Sequence, residues 1–233
     1  MEPVLVAAAR GSLQATCVVV GDRDAGRALV VDPGEDALDH VVTTLDAHGL
    51  VAEAVVLTHG HLDHLWDAPA VAAALDCPVA LHPDDAWLWD DPLAGLDPVL
   101  AAHLAPALDG AWAPGDRPRP LRHGEVLTAG GVRAQVRHTP GHTPGSCALV
   151  LPGWERAGVV VAGDLLFAGS VGRTDLPGGS HARLLESVAT QVLTLPDATV
   201  VIPGHGPATT VGAERRSNPF LQVSGVMDAS PLE

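Results

Sequence analysis

Apolar residues along this chain follow two rhythms. Short β-branched runs bounded by Gly, Pro and Asp predict strands at Val4 to Ala8, Ala15 to Val20 and Ala28 to Val31, with Gly21-Asp22 and Asp32-Pro33-Gly34 as turns. From Asp36 to His48 the rhythm changes: Ala37, Val41, Val42 and Leu45 recur at helical spacing, and Gly49 ends the helix. Val55 to Leu57 predicts the next strand, Leu65 to Leu75 the next helix, and Pro78 to Leu81 another strand. The second half repeats the order, with strands at Glu125 to Leu127, Val132 to Val136, Ser146 to Leu151 and Val159 to Ala162, a helix from His181 to Leu193, and a strand at Ala198 to Ile202. Strands followed by a helix, twice, predict an α/β fold of two similar halves packed sheet against sheet with helices outside. A helix-like segment around Val211 to Arg216 and a proline-containing end at Asn218-Pro219-Phe220 follow.

Between the halves, Pro83 to Pro120 departs from both rhythms. It carries Asp84-Asp85, Asp90-Asp91, several prolines and Trp87, Trp89 and Trp112, and reads as an excursion with short helices around Pro98 to Leu108 lying over one edge of the fold. The tryptophans are expected to be packing anchors. With 233 residues, 47% hydrophobic and 18% charged, the chain reads as one globular domain over residues 1–233. No apolar run approaches the roughly 20 residues of a membrane span, and no basic segment precedes the first apolar residues, so a cytoplasmic protein without a membrane partner is expected. The net charge of −15 argues against a nucleic-acid partner. All basic residues are arginine, and there is no tyrosine. Cys17, Cys77 and Cys147 are scattered and odd in number, so they read as small apolar residues rather than a disulfide framework.

The chemistry concentrates after the strand at Val55 to Leu57. Thr58-His59-Gly60-His61-Leu62-Asp63-His64 places three imidazoles and a carboxylate in one strand-to-helix loop, a donor set that suits a borderline-soft divalent metal such as zinc. Three more strand ends each carry one metal-competent side chain in a Gly/Pro setting: His142 in Thr139 to Ser146, Asp164 after Val159 to Gly163, and His205 in Pro203-Gly204-His205-Gly206-Pro207. Together these supply five histidines and two aspartates, enough for two ions. His40, His48, His82, His103, His123, His138 and His181 lack such settings and receive no role.

The order His-x-His-x-Asp-His, lone His, lone Asp, last His resembles the signature of the metallo-β-lactamase superfamily, from about Val4 to Phe220. Gly163-Asp164-Leu165-Leu166-Phe167, Gly172-Arg173-Thr174-Asp175-Leu176-Pro177-Gly178-Gly179 and Pro203 to Pro207 are similar to the glyoxalase II-like hydrolases, in their short bacterial form. The resemblance implies a four-layer αββα sandwich of two mixed sheets. It also implies two divalent ions, zinc by default with iron or manganese as alternatives, one on His59, His61 and His142 and the other on Asp63, His64 and His205, bridged by Asp164. Asp63 and Asp164 are the catalytic carboxylates on that reading, and a hydroxide held between the ions attacks a small-molecule thioester. Arg173 and Asp175 are expected to orient the Asp164 loop, with a plain surface ion pair as the competing reading. Long-type glyoxalase II enzymes hold glutathione through Lys and Tyr, both absent here, so the thiol carrier stays open. The alternatives are a persulfide dioxygenase with one iron on His59, His142 and Asp164, a lactonase or other ester hydrolase of the superfamily, and a metal-binding protein without turnover. Oligomeric state is not legible.

Overall fold

The computed structural model describes residues 1–108 and 112–223. The expected single domain and the excursion at 83–120 also take in 109–111 and 224–233, which lie outside the described residues. A first mixed sheet orders β1 (Pro3–Arg10), β2 (Ala15–Asp22), β3 (Arg27–Val31), β4 (Val51–Val56), β5 (Val79–Leu81) and β6 (Arg119–Pro120) side by side, antiparallel up to β3 and parallel from there. The second sheet is built from β7 (Val126–Ala129), β8 (Val132–His138), β9 (Cys147–Leu151), β10 (Val159–Gly163), β13 (Val200–Pro203) and β14 (Thr209–Thr210), with β10 and β13 parallel. Between the last two long strands runs a small hairpin of β11 (Leu166–Phe167) and β12 (Ser170–Val171).

Helices cover the outer faces. On the first sheet lie α1 (Leu38–His48), α2 (Leu62–Leu65), α3 (Ala68–Leu75), α4 (Ala86–Asp90) and α5 (Pro98–Leu108); on the second lie α6 (His181–Ser187), α7 (Val211–Ser217) and α8 (Pro219–Val223). Strand alternation explains the layering. In β2, Val18 and Val20 face the other sheet while Cys17 and Val19 face the helices, and β9 splits likewise into Leu149 and Leu151 against Ala148 and Val150. Three buried apolar layers result, and the fold is the four-layer αββα sandwich. Gly49 closes α1 in the left-handed region, donating its N–H back to Asp46 and Leu45.

The sequence reading departs from the structure in a few places. The helix at His181 to Leu193 ends in a wider π turn at Val188–Val192, and Pro219 opens α8 where only a proline-containing end was expected. Cys17 and Cys147 are buried apolar-like residues, but Cys77 is only half-buried. Among the described residues no helix is long and apolar enough to cross a membrane.

Candidate metal centre

Each candidate side chain is delivered by a strand end, and most are tied down behind. β4 ends into Thr58, whose carbonyl accepts the Cys147 N–H at 2.7 Å and so links the rims of the two sheets. Asp32, at the end of β3 with φ +49, accepts the Thr58 N–H at 2.7 Å and the Thr58 hydroxyl at 2.6 Å, and its Oδ2 lies 3.0 Å from His64 Nδ1. That contact fixes the His64 ring with Nδ1 on Asp32 and Nε2 turned inward. Asp63 and His64 ride on α2, the short helix in which the motif ends. His142 sits on the β8–β9 loop and directs Nδ1 at the Arg173 carbonyl, 2.8 Å away. Asp164 follows β10 and His205 follows β13. Between them Gly204 has no room for a side chain: a Cβ there would meet Asp164 Oδ1 at 2.0 Å.

The side chains converge as two groups with one member between them. His142 Nε2 lies 2.8 Å from His61 Nδ1 and 3.2 Å from His59 Nε2. Asp63 Oδ2 lies 3.1 Å from His205 Nε2 and 3.8 Å from His64 Nε2. Asp164 spans them: Oδ1 is 3.3 Å from His64 Nε2, and Oδ2 is 3.5 Å from His142 Nε2 and 3.7 Å from His205 Nε2. The donor atoms of His59, His61 and His142, of His59, His64 and Asp164, and of Asp63, His64 and His205 all lie within 4.8 Å inside each set. The four imidazoles other than His205 are buried, whereas His205, at 29% exposure, and the two aspartates line the open side.

Electrostatics separate the two groups. Burial, reinforced by the charge of neighbouring imidazoles, pushes His59 well below its ordinary value and His61 down to about 3, so both stand neutral as ligands must. Burial works against charge on His64 and His205 too, but there Asp63 and Asp164 win and both pKa values rise. The same attraction, chiefly from His64, overcomes burial and holds Asp63 and Asp164 below the usual carboxylate range. Among the buried polar atoms without a hydrogen-bond partner are His64 Nε2 and Asp164 Oδ1, which face each other across the group. Buried polar atoms are rarely left without partners, and a divalent cation would satisfy the nitrogens of His59, His61 and His142 together. The donor set therefore fits two divalent cations.

The structure thus brings together every side chain expected at the centre, His59, His61, Asp63, His64, His142, Asp164 and His205. Arg173 and Asp175 stand differently. Their side chains form a bidentate ion pair, 2.8 Å at both bonds and exposed, and it is the Arg173 backbone carbonyl that reaches the centre. His82 and His138, given no role from sequence, stack at 3.9 Å beside Asp84, but His82 Nδ1 accepts the Asp84 N–H and His138 Nε2 lies 2.9 Å from the Pro144 carbonyl. Sequence reasoning missed Asp32, which reads as a turn residue; its signal was an acid at the end of the strand paired with β4.

The sequence pattern of the metallo-beta-lactamase superfamily matches residues 10–205. The chain belongs to that superfamily. Among curated relatives, the Mycobacterium leprae protein ML0493 is 44% identical over 91% of this chain and 95% of its own length. The probable metallo-hydrolase YqgX of Bacillus subtilis is 36% identical, covering 91% and 94% of the two chains. Hydroxyacylglutathione hydrolase GloC of Haemophilus influenzae is 31% identical, covering 90% and 94%. The solved BLEG-1 B3 metallo-beta-lactamase superposes with a TM-score of 0.76 at 37% identity, over 94% of this chain and 99% of that one. TTHA1623, solved in a di-iron-bound form, gives 0.72 at 38%, over 95% and 100%. ETHE1 from Myxococcus xanthus shares the fold, with 0.74 at 23% identity over 99% and 92%. This superfamily member thus has a probable metallo-hydrolase and a hydroxyacylglutathione hydrolase among its relatives.

Proposed function

We propose that this protein is a dinuclear metallohydrolase that cleaves a thioester of a small thiol, in the manner of a hydroxyacylglutathione hydrolase. The observation that carries this reading is the position of Asp164 between two complete donor groups, His59, His61 and His142 on one side and Asp63, His64 and His205 on the other. His59, His61 and His142 would hold one ion, Asp63, His64 and His205 the other, and Asp164 both. The Haemophilus relative named for hydroxyacylglutathione hydrolysis supports the substrate class. The di-iron form of TTHA1623 keeps iron beside zinc and manganese as the metal.

Two divalent ions held there supply Lewis acidity for a carbonyl and lower the pKa of water from 15.7 toward about 7. The chain's own part is to hold and exclude. Asp63 and Asp164 face the centre as anions, Asp32 and the Arg173 carbonyl aim His64 and His142, and the buried imidazoles wall the floor from solvent. Burial pushes all three thiols up, Cys17 to about 12.

The test combines metal content per chain with turnover assays. We expect two ions and hydrolysis of S-lactoylglutathione, reduced at least about 100-fold in Asp63→Ala and His205→Ala. One iron per chain with oxygen uptake on glutathione persulfide and no thioester cleavage would transfer the function to the dioxygenase reading. Cleavage of a lactone or a chromogenic cephalosporin in place of the thioester would keep the hydrolase and replace its substrate.

A further inference from the structure

We infer that Asp85 is a positioning residue for the three-imidazole half of the centre, clamping the loop that carries His59 and His61 to the loop that carries His142. The inference rests on the dinuclear reading above. Asp85 closes the short 3-10 turn Pro83–Asp85 where the excursion begins, and it is fully buried while its neighbour Asp84 is exposed. Its Oδ2 accepts the Gly60 N–H at 2.9 Å and the Thr143 hydroxyl at 2.6 Å; its Oδ1 accepts the Gly145 N–H at 2.7 Å. Gly60 lies between ligands His59 and His61, and Thr143 directly follows His142. All three bonds therefore go to residues next to or near His59, His61 and His142, and none goes to Asp63, His64, Asp164 or His205.

Packing leaves these loops no slack. A Cβ on Gly145 would meet the Asp85 carboxyl carbon at 2.6 Å, and one on Gly60 would meet Leu88 Cβ at 2.7 Å and Asp85 Cβ at 3.2 Å. The chain has drawn both loops onto this carboxylate at glycines because nothing larger fits. Burial pushes the Asp85 carboxyl up, and the bonds from Thr143, Gly145 and Gly60 oppose that. A buried carboxylate without an ion-pair partner is costly, and charge-assisted bonds to two loops at once are a return that a fold-stabilising apolar residue could not make. The carboxylate also places a fixed negative charge behind the three imidazoles, where it favours a cation.

Asparagine has nearly the same shape but offers an NH2 in place of one oxygen, so at least one of the three donors would face a donor. That makes Asp85→Asn the sensitive probe, with Thr143→Val as a milder second. Zinc-loaded parent and variants are titrated with a competing chelator, and cobalt(II)-loaded samples are followed by their visible absorption. The parent is expected to hold two ions; Asp85→Asn should keep one at parental affinity and bind the other about 10- to 100-fold more weakly, with Thr143→Val between them. The cobalt spectrum should change for one ion only. Two ions at parental affinity in Asp85→Asn would overturn the inference and leave the dinuclear reading standing, as would equal weakening of both ions, which marks a general loss of stability. Fewer than two ions in the parent would overturn both. Should Asp85→Asn not fold, Thr143→Val decides by the same split.

Discussion

At the scale of residues, the centre depends on acids that never touch a cation. Asp32 gathers three buried donors, the Thr58 N–H, the Thr58 hydroxyl and His64 Nδ1, in a left-handed backbone conformation that aspartate tolerates better than alanine. Removing a buried acceptor leaves each donor short by about 1–3 kcal/mol. Asp32→Ala is therefore expected to lower the stability of the metal-free protein by about 3 kcal/mol or more in urea unfolding. It should also weaken the ion on Asp63, His64 and His205 by about 10- to 100-fold in chelator competition, because His64 loses the contact that fixes its ring. An unchanged affinity for both ions would refute the orienting role. The Arg173–Asp175 pair contrasts with this: exposed on both sides, it belongs with ion pairs worth at most about 1 kcal/mol.

At the scale of elements, the excursion between the halves is part of the body of the fold. It leaves β5, turns at Asp85, forms α4 and α5, and returns as β6 on the edge of the first sheet. Trp89 on α4 is 2% exposed, packs in the core under the first sheet and meets the half-buried Trp112 edge to face, with ring centroids 5.4 Å apart. Leu88 and Gly95 from the same segment press on Gly60 and His61. Trp89→Ala is expected to cost about 3–5 kcal/mol, read as a lower urea midpoint with unchanged slope. A loss below about 1 kcal/mol would mean that the segment is a removable cover and not core.

At the scale of the whole molecule, the centre lies where the rims of the two sheets meet. Its ligands come from β4, the β8–β9 loop, β10 and β13, so cations there join parts of the chain far apart in sequence. Ligands that bind only the folded state stabilise it by about 2.7 kcal/mol at 100 times their dissociation constant. With each kcal/mol worth about 2–4 °C in a chain of this size, stripping the metals should lower the melting temperature by about 5–10 °C, and readding zinc should restore it. A melting curve indifferent to chelator would show that the donor group does not hold cations in the folded protein.

Much of this was legible in the chain itself. Strand and helix periodicity is local, so β1 to β5, α1, α6 and the long strands of the second sheet announce themselves, and so do ligands crowded into one loop from His59 to His64. Hairpin strands such as β11 and β12 are too short to carry a period, and the π turn after α6 has no sequence mark. Asp32 and Asp85 look like ordinary turn acids because their partners, His64 and Thr143, lie 32 and 58 residues away. Arg173 and Asp175 stood out as charged residues in a motif, yet the atom that touches His142 is a carbonyl that any residue could supply. The sequence by itself determined the element order and which side chains could bind a cation, since both follow from short-range pattern and donor chemistry. Only the tertiary structure decided how closely those donors converge and which buried acids stand behind them, because those contacts form when one sheet packs on the other.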